Sequence, residues 1–109
     1  MDSVNHDEKE IVEKIKKKLS EVYDPEFGVD IVNLGLVYEI KVNLKEKKAN
    51  VKMTMTSYTC PFMAVILKDV QQKLSEINEI DEIFVELVWE PPWSIDMASE
   101  EAKLMLGIS

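Results

Sequence analysis

Cys60 is the only thiol in the chain; it follows the hydroxyl-bearing run Thr56-Ser57-Tyr58-Thr59 and precedes Pro61. A thiolate is a nucleophile and a soft metal ligand, and the positive end of a helix dipole favours it over the thiol. Proline suits the first turn of a helix, so Pro61 places Cys60 where a strand hands over to a helix. Two readings of this thiol stand side by side: a partly exposed functional group, or a small buried hydrophobe. The polar run before it favours the first. Counting ligands narrows the chemistry. One cysteine and one histidine, His6, cannot furnish the four ligands of a structural zinc site or of a cluster held by four cysteines. His6 lies ahead of the first helix, a poor place for the positioned base of a cysteine hydrolase, and no second cysteine is present to resolve a disulfide. Metal on Cys60 therefore needs further ligands from a carboxylate, a second copy or a partner.

Two other segments carry candidate chemistry. Asp24-Pro25-Glu26 sets two carboxylates around a stiff turn, where they could ligate a metal or act as base to a thiol; as a bare motif it also marks a helix stop. Trp89-Glu90-Pro91-Pro92-Trp93 flanks a rigid diproline with indoles, which makes either an aromatic binding surface or an edge strand closing over the core. Met53, Met55 and Met63 fall on core positions and read as packing.

The elements that must hold these residues follow from apolar spacing. Ile11, Val12, Ile15, Leu19 and Val22 predict a helix over 7–22, with Asp7 and Glu10 as a capping pair. Residues 24–36 are turn-rich, and Asn33-Leu34-Gly35 reads as a turn before a strand. Tyr38, Ile40, Val42 and Leu44 alternate with polar residues, then Lys45–Lys48 makes a charged hairpin loop, and Val51, Met53 and Met55 alternate on the returning strand. Met63, Ile66, Val70, Leu74 and Ile77 give a second helix. Ile83, Val85, Leu87 and Trp89 mark a third strand whose other face, with Phe84 and Val88, is expected to be partly covered. Ser99 caps a short final helix that stops at Gly107. The order α-β-β-α-β plus a short C-terminal helix predicts an α+β fold, a small sheet with helices on one face.

Charge and length exclude several classes. The 109 residues carry a net charge of −8, and all 13 basic residues are lysines. Residues 1–68 balance 11 lysines against 11 acids, whereas residues 69–109 hold 2 lysines against 10 acids. Without arginine's planar fork, nucleic acid is not an expected partner; an acidic half suits a basic protein partner or is simply a solvated surface. No apolar run approaches the roughly 20 residues that cross a bilayer, and the polar start MDSVNHDEKE does not fit a secretory signal. With a single cysteine and no such signal, a cytoplasmic protein is expected.

Read together, the motifs resemble one family. DPEFGVDIVNLGLVYEI resembles the opening of the PaaD/SufT-like metal–sulfur cluster biosynthetic proteins, VKMTMTSYTCP their "TxT…CP" segment, and LVWEPPWSIDMASEEAKLMLG their close. Residues 1–8 are then a flexible N-terminus and 9–109 a single domain of this kind. The resemblance implies a non-enzymatic factor in iron–sulfur cluster assembly or targeting that helps iron–sulfur proteins mature. It puts the functional thiol on Cys60 and supporting polar groups on Asp24, Glu26, Thr56 and Ser57, with Trp89, Pro91, Pro92 and Trp93 as an interaction surface. No stably bound cofactor is implied; iron or an iron–sulfur cluster would sit transiently on Cys60, across an interface with client or assembly proteins or within a homodimer. One departure is the Tyr58 position, where family members often carry Pro-Gly before the cysteine, and a bulky ring there would narrow access to the thiol. The alternative is an adaptor that binds through its acidic C-terminal half and the Trp89–Trp93 surface while Cys60 only packs.

Overall fold

The computed structural model describes residues 2–57, 59 and 61–107. Helix α1 (Asp2–Leu19) buries Ile11, Ile15 and Leu19, four residues apart and therefore on one stripe. Helix α2 (Met63–Leu74) repeats the device with Ile66, Val70 and Leu74. Between them lie a two-residue pairing, β1 (Tyr23–Asp24) with β2 (Val29–Asp30), and the hairpin β3 (Val37–Asn43) and β4 (Lys48–Met53). Strand β5 (Glu82–Leu87), a 3-10 turn (Ile95–Met97) and helix α3 (Glu100–Met105) complete the chain.

The main sheet runs β3-β4-β5, with β3 antiparallel and β5 parallel to β4. A parallel neighbour needs a crossover connection, and α2 supplies it. On central β4 the alternation is clean: Ala49, Val51 and Met53 are buried, while Lys48, Asn50 and Lys52 face the other way. Helix α1 packs on β3 and on α2, and α2 packs on β5, so both helices cover the face that buries those three residues. This is the expected α+β arrangement. Each fully buried aliphatic side chain on it contributes about 1.5–3 kcal/mol.

Local departures from the sequence reading have physical reasons. Helix α1 is already running at Asp7, so the capping signal there does not mark its start. Strand β4 stops at Met53 and α2 begins at Met63 behind an N-cap Phe62, and the described residues between them lie outside helix and strand. Met53, Thr54 and Met55 are all buried in succession, so the apolar alternation of the sequence continues past the strand without an alternation of burial. Strand β5 ends before Trp89, and Phe84 is 53% exposed, so the outer face of the sheet is open rather than partly covered. The final helix follows its signals: the Ser99 hydroxyl accepts the Ala102 N–H at 3.1 Å, and Gly107 lies just beyond.

Ion pairs clasp α1 to the α2–β5 connection. Lys14 meets Glu79, Lys18 meets Glu76 at 2.6 Å, and Lys73 reaches back to Glu21 at 3.5 Å. The hydrogen bonds from Lys18 and Lys14 hold the Glu76 and Glu79 carboxyls below their ordinary value of 4.5. A depressed carboxyl stabilises the fold above its unfolded pKa and loses that contribution as pH falls through the folded one. Stability against urea is therefore expected to drop between pH 5 and more acidic conditions, and the drop should be shallower in the double variant Glu76→Gln/Glu79→Gln. Because the pairs are exposed, molar salt should blunt the difference between the two proteins.

Candidate functional site

The Asp24-Pro25-Glu26 turn is the loop of the β1–β2 pairing. The Asp24 carbonyl accepts the Gly28 N–H at 2.7 Å, closing the turn, and Gly28 adopts φ +71°. The Asp24 side chain is buried, and its Oδ1 accepts the Glu26 N–H at 2.8 Å. Its Oδ2 is buried too and has no hydrogen-bond partner among the described residues. Glu26, by contrast, points to solvent. The two carboxylates read as a pair in sequence thus go separate ways: Asp24 inward, Glu26 out. Phe27 follows them and tilts onto Trp93, ring centroids 6.1 Å apart.

The next turn is built on a residue that sequence reasoning missed. Asp30 accepts the Asn33 backbone N–H at 3.1 Å and the Asn33 side-chain amide at 2.7 Å. Asn33 in turn accepts the Ser99 hydroxyl at 2.9 Å through its side chain and the Ser99 N–H at 2.7 Å through its carbonyl. The signal was present: an aspartate three residues before an asparagine, both apt to bond nearby backbone. This network docks α3 beside the Asn33-Leu34-Gly35 turn. The Leu34 carbonyl accepts the Trp93 indole N–H at 2.7 Å. Gly35, at φ +80°, sits so close to Met97 that an added Cβ would lie 2.3 Å from its carbonyl oxygen.

The segment 54–57 crosses beside these turns. Thr54 and Met55 are buried, and the Thr56 hydroxyl is buried without a hydrogen-bond partner among the described residues. Ser57 is exposed; its hydroxyl accepts the Thr59 N–H at 3.1 Å and lies 2.9 Å from the Thr59 hydroxyl, which shapes a tight serine turn. Met55, Thr56 and Ser57 line one side of a cleft of about 160 Å3, and Trp89, Pro92 and Trp93 line the other. Of the predicted polar residues Thr56 and Ser57 thus share one cleft with Trp89, Pro92 and Trp93 of the aromatic segment, while Asp24, Glu26 and Pro91 are not part of its lining. Pro91 follows a cis peptide bond and turns away from it, its carbonyl accepting the Tyr38 hydroxyl at 2.7 Å. Burial raises the pKa of that hydroxyl above its ordinary value of 10.0; the Thr54 hydroxyl opposes the shift and the Glu90 charge adds to it.

Trp93 therefore joins three segments: the Asp24 turn through Phe27, the Asn33 turn through Leu34, and the segment 54–57 through the cleft. Cys60 and Tyr58 lie outside the described residues, while Thr59 and Pro61, on either side of Cys60, are exposed. Among the described residues no group of three or more His, Cys, Asp or Glu side chains is placed to hold a metal ion. No helix among them is long and apolar enough to cross a membrane.

Residues 12–87 match the family described as "Iron-sulfur cluster assembly protein". The chain belongs to this family. Within the iron–sulfur cluster assembly family, the Fe-S protein maturation auxiliary factor YitW of Bacillus subtilis is 42% identical over 93% of this chain and 98% of its own length. The corresponding auxiliary factor SufT of Staphylococcus aureus is 50% identical over 81% of this chain and 99% of its own. The fold agrees with that of a domain of unknown function from Bacillus anthracis, at a TM-score of 0.89 and 42% identity over 96% of this chain and 99% of that one. The family read from the three sequence motifs is the one found, and its role in iron–sulfur cluster assembly is the function those motifs implied.

Proposed function

We propose that the protein is a non-enzymatic auxiliary factor of iron–sulfur protein maturation that receives iron or an iron–sulfur cluster on Cys60 and passes it to a client. One observation supports this reading above the rest. Met55, Thr56 and Ser57, shortly before Cys60 in the sequence, form a wall of the Trp89–Trp93 cleft, and both Asp24 and Thr56 keep a buried oxygen without a partner among the described residues. An oxygen held out of water without a partner is costly, so it is more readily understood as kept for something that binds. In this proposal Cys60 supplies the thiolate, and the unpartnered oxygens of Asp24 and Thr56 support the bound state. Glu26 and Ser57, both exposed, meet the incoming partner, and Trp89, Pro92 and Trp93 give that partner an apolar seat, with Pro91 shaping the segment.

The metal is cargo and not a resident cofactor. A cluster asks for several donors, and a chain with one cysteine must share it with a second copy or with an assembly or client protein. Neither nucleic acid nor a membrane enters this reading, and the work is placed in the cytoplasm beside the cluster-building machinery.

Anaerobic reconstitution with ferrous iron and sulfide tests it. The wild-type protein is expected to develop visible charge-transfer absorption and bound iron, and Cys60→Ser to lose both. Equal chromophores in the two proteins would overturn the role of Cys60. No chromophore in either would favour the second reading, an adaptor, for which the exposed Glu90, Asp96, Glu100 and Glu101 around the cleft-forming segment argue. A complex steered by those charges weakens as salt rises.

A further inference from the structure

Strand β5 is the outer strand of the β3-β4-β5 sheet, and it is laid out as though a fourth strand belonged beside it. We propose that the edge of β5, which no strand pairs among the described residues, docks an extended, basic segment of a partner protein by strand addition. Three observations carry this, and none depends on the role of Cys60.

The first is charge across the strands of the open face. Register places Glu39, Lys52 and Glu86 in one row on β3, β4 and β5, and Asn43, Lys48 and Glu82 in another. Each β5 position ends its row on an exposed carboxylate, and Lys52 pairs with Glu39 at 3.9 Å, leaving Glu86 at the margin. Opposite charges on neighbouring strands stabilise a pair and like charges oppose it. A fourth strand that continues the acid–base alternation carries Lys or Arg beside Glu82 and Glu86. Between them Phe84, 53% exposed, offers an aromatic face to an apolar residue.

The second observation is on the covered face. Ile83, Val85 and Leu87 are only half-buried, whereas Ala49, Val51 and Met53, their partners on β4, are at most 2% exposed. Alternate residues of an added strand would complete that burial. The third is regularity. The opposite edge, β3, is broken by a register shift between Val37 and Glu39, a common way of protecting an edge, while β5 pairs one-to-one with β4 from Glu82 to Leu87.

The same glutamates argue against a second copy as the occupant. Two β5 strands pairing antiparallel about Phe84 would set Glu82 against Glu86 twice, and parallel pairing would set each against itself. The edge thus repels its own kind and selects a basic strand. Its pattern is basic–apolar–apolar–apolar–basic, with main-chain hydrogen bonds giving affinity and the charges giving register.

The probe is a nine-residue capped peptide centred on Lys-Val-Phe-Val-Lys, titrated into the full chain and followed by amide exchange and NMR shifts. Expected are exchange slowed at least tenfold at β5 amides and binding at least tenfold tighter than for the peptide centred on Glu-Val-Phe-Val-Glu. Glu82→Lys/Glu86→Lys should invert that preference, and because both positions are exposed the variant should fold. Four results would overturn the proposal: no protection at β5; equal binding of both peptides; equal binding of a basic peptide whose central Phe is replaced by Pro, which would mean charge attraction alone; or β5 protected by self-association without peptide.

Discussion

Gly35→Ala is expected to lower the unfolding free energy by roughly 2–4 kcal/mol, more than any surface substitution in the chain. Two costs add at this position. The backbone adopts φ +80°, which a side chain resists, and the added Cβ meets the Met97 carbonyl oxygen at 2.3 Å, so backbone must move. At about 4–8 °C per kcal/mol for a domain of this size, the melting temperature should fall by about 10 °C or more. Gly28→Ala isolates the first cost. Gly28 has φ +71° with nothing within 4 Å of the added atom, and its loss should be nearer about 1 kcal/mol. Equal melting temperatures for the two variants would mean that the 3-10 turn gives way freely.

The second large effect is functional. Asp24→Asn keeps an oxygen to accept the Glu26 N–H, so the turn and the stability should hold to within about 1 kcal/mol. The other carboxylate oxygen, buried and without a partner among the described residues, becomes an amide donor. Under the proposed role this should weaken iron retention or cluster delivery to an apo-client by about tenfold or more, the usual cost of removing a group that supports a metal ligand. Asp24→Ala is the contrasting variant: it also strands the Glu26 N–H and should cost about 1–3 kcal/mol of stability. Wild-type delivery by a folded Asp24→Asn protein would reduce Asp24 to a turn residue.

Much of this architecture is legible in the residues. Ile11-Ile15-Leu19 and Ile66-Val70-Leu74 announce the two helices because a four-residue spacing has one dominant solution, a stripe on one face. The β3–β4 hairpin and the Ser99 cap are equally local. What is not legible depends on distant chain. Asp24 and Glu26 look equivalent until the turn closes, with the Asp24 carboxylate taken inward onto the Glu26 N–H and the Glu26 side chain left in water. Thr54 and Met55 look like strand because the apolar-polar alternation of the sequence continues past Met53, although both side chains are buried and the ladder has ended. Phe84 looks like a second covered face because composition does not say where the helices run out. The cleft was foreseeable only in pieces: the Thr56 and Trp93 sides are far apart in sequence, and the indole bond that holds Trp93 runs to Leu34, in a third segment.

The connection between β4 and β5 has a consequence for how the molecule is made. Its hairpin partner reaches β4 through a turn of a few residues, so that edge closes as soon as the turn has formed. Its parallel partner arrives only after the whole of α2 and the loop behind it. During synthesis one side of β4 therefore waits, with its main-chain groups open, until β5 has emerged. Lys48, Asn50 and Lys52 keep that waiting strand wet on one face, and α1, already made, is available to shelter the other.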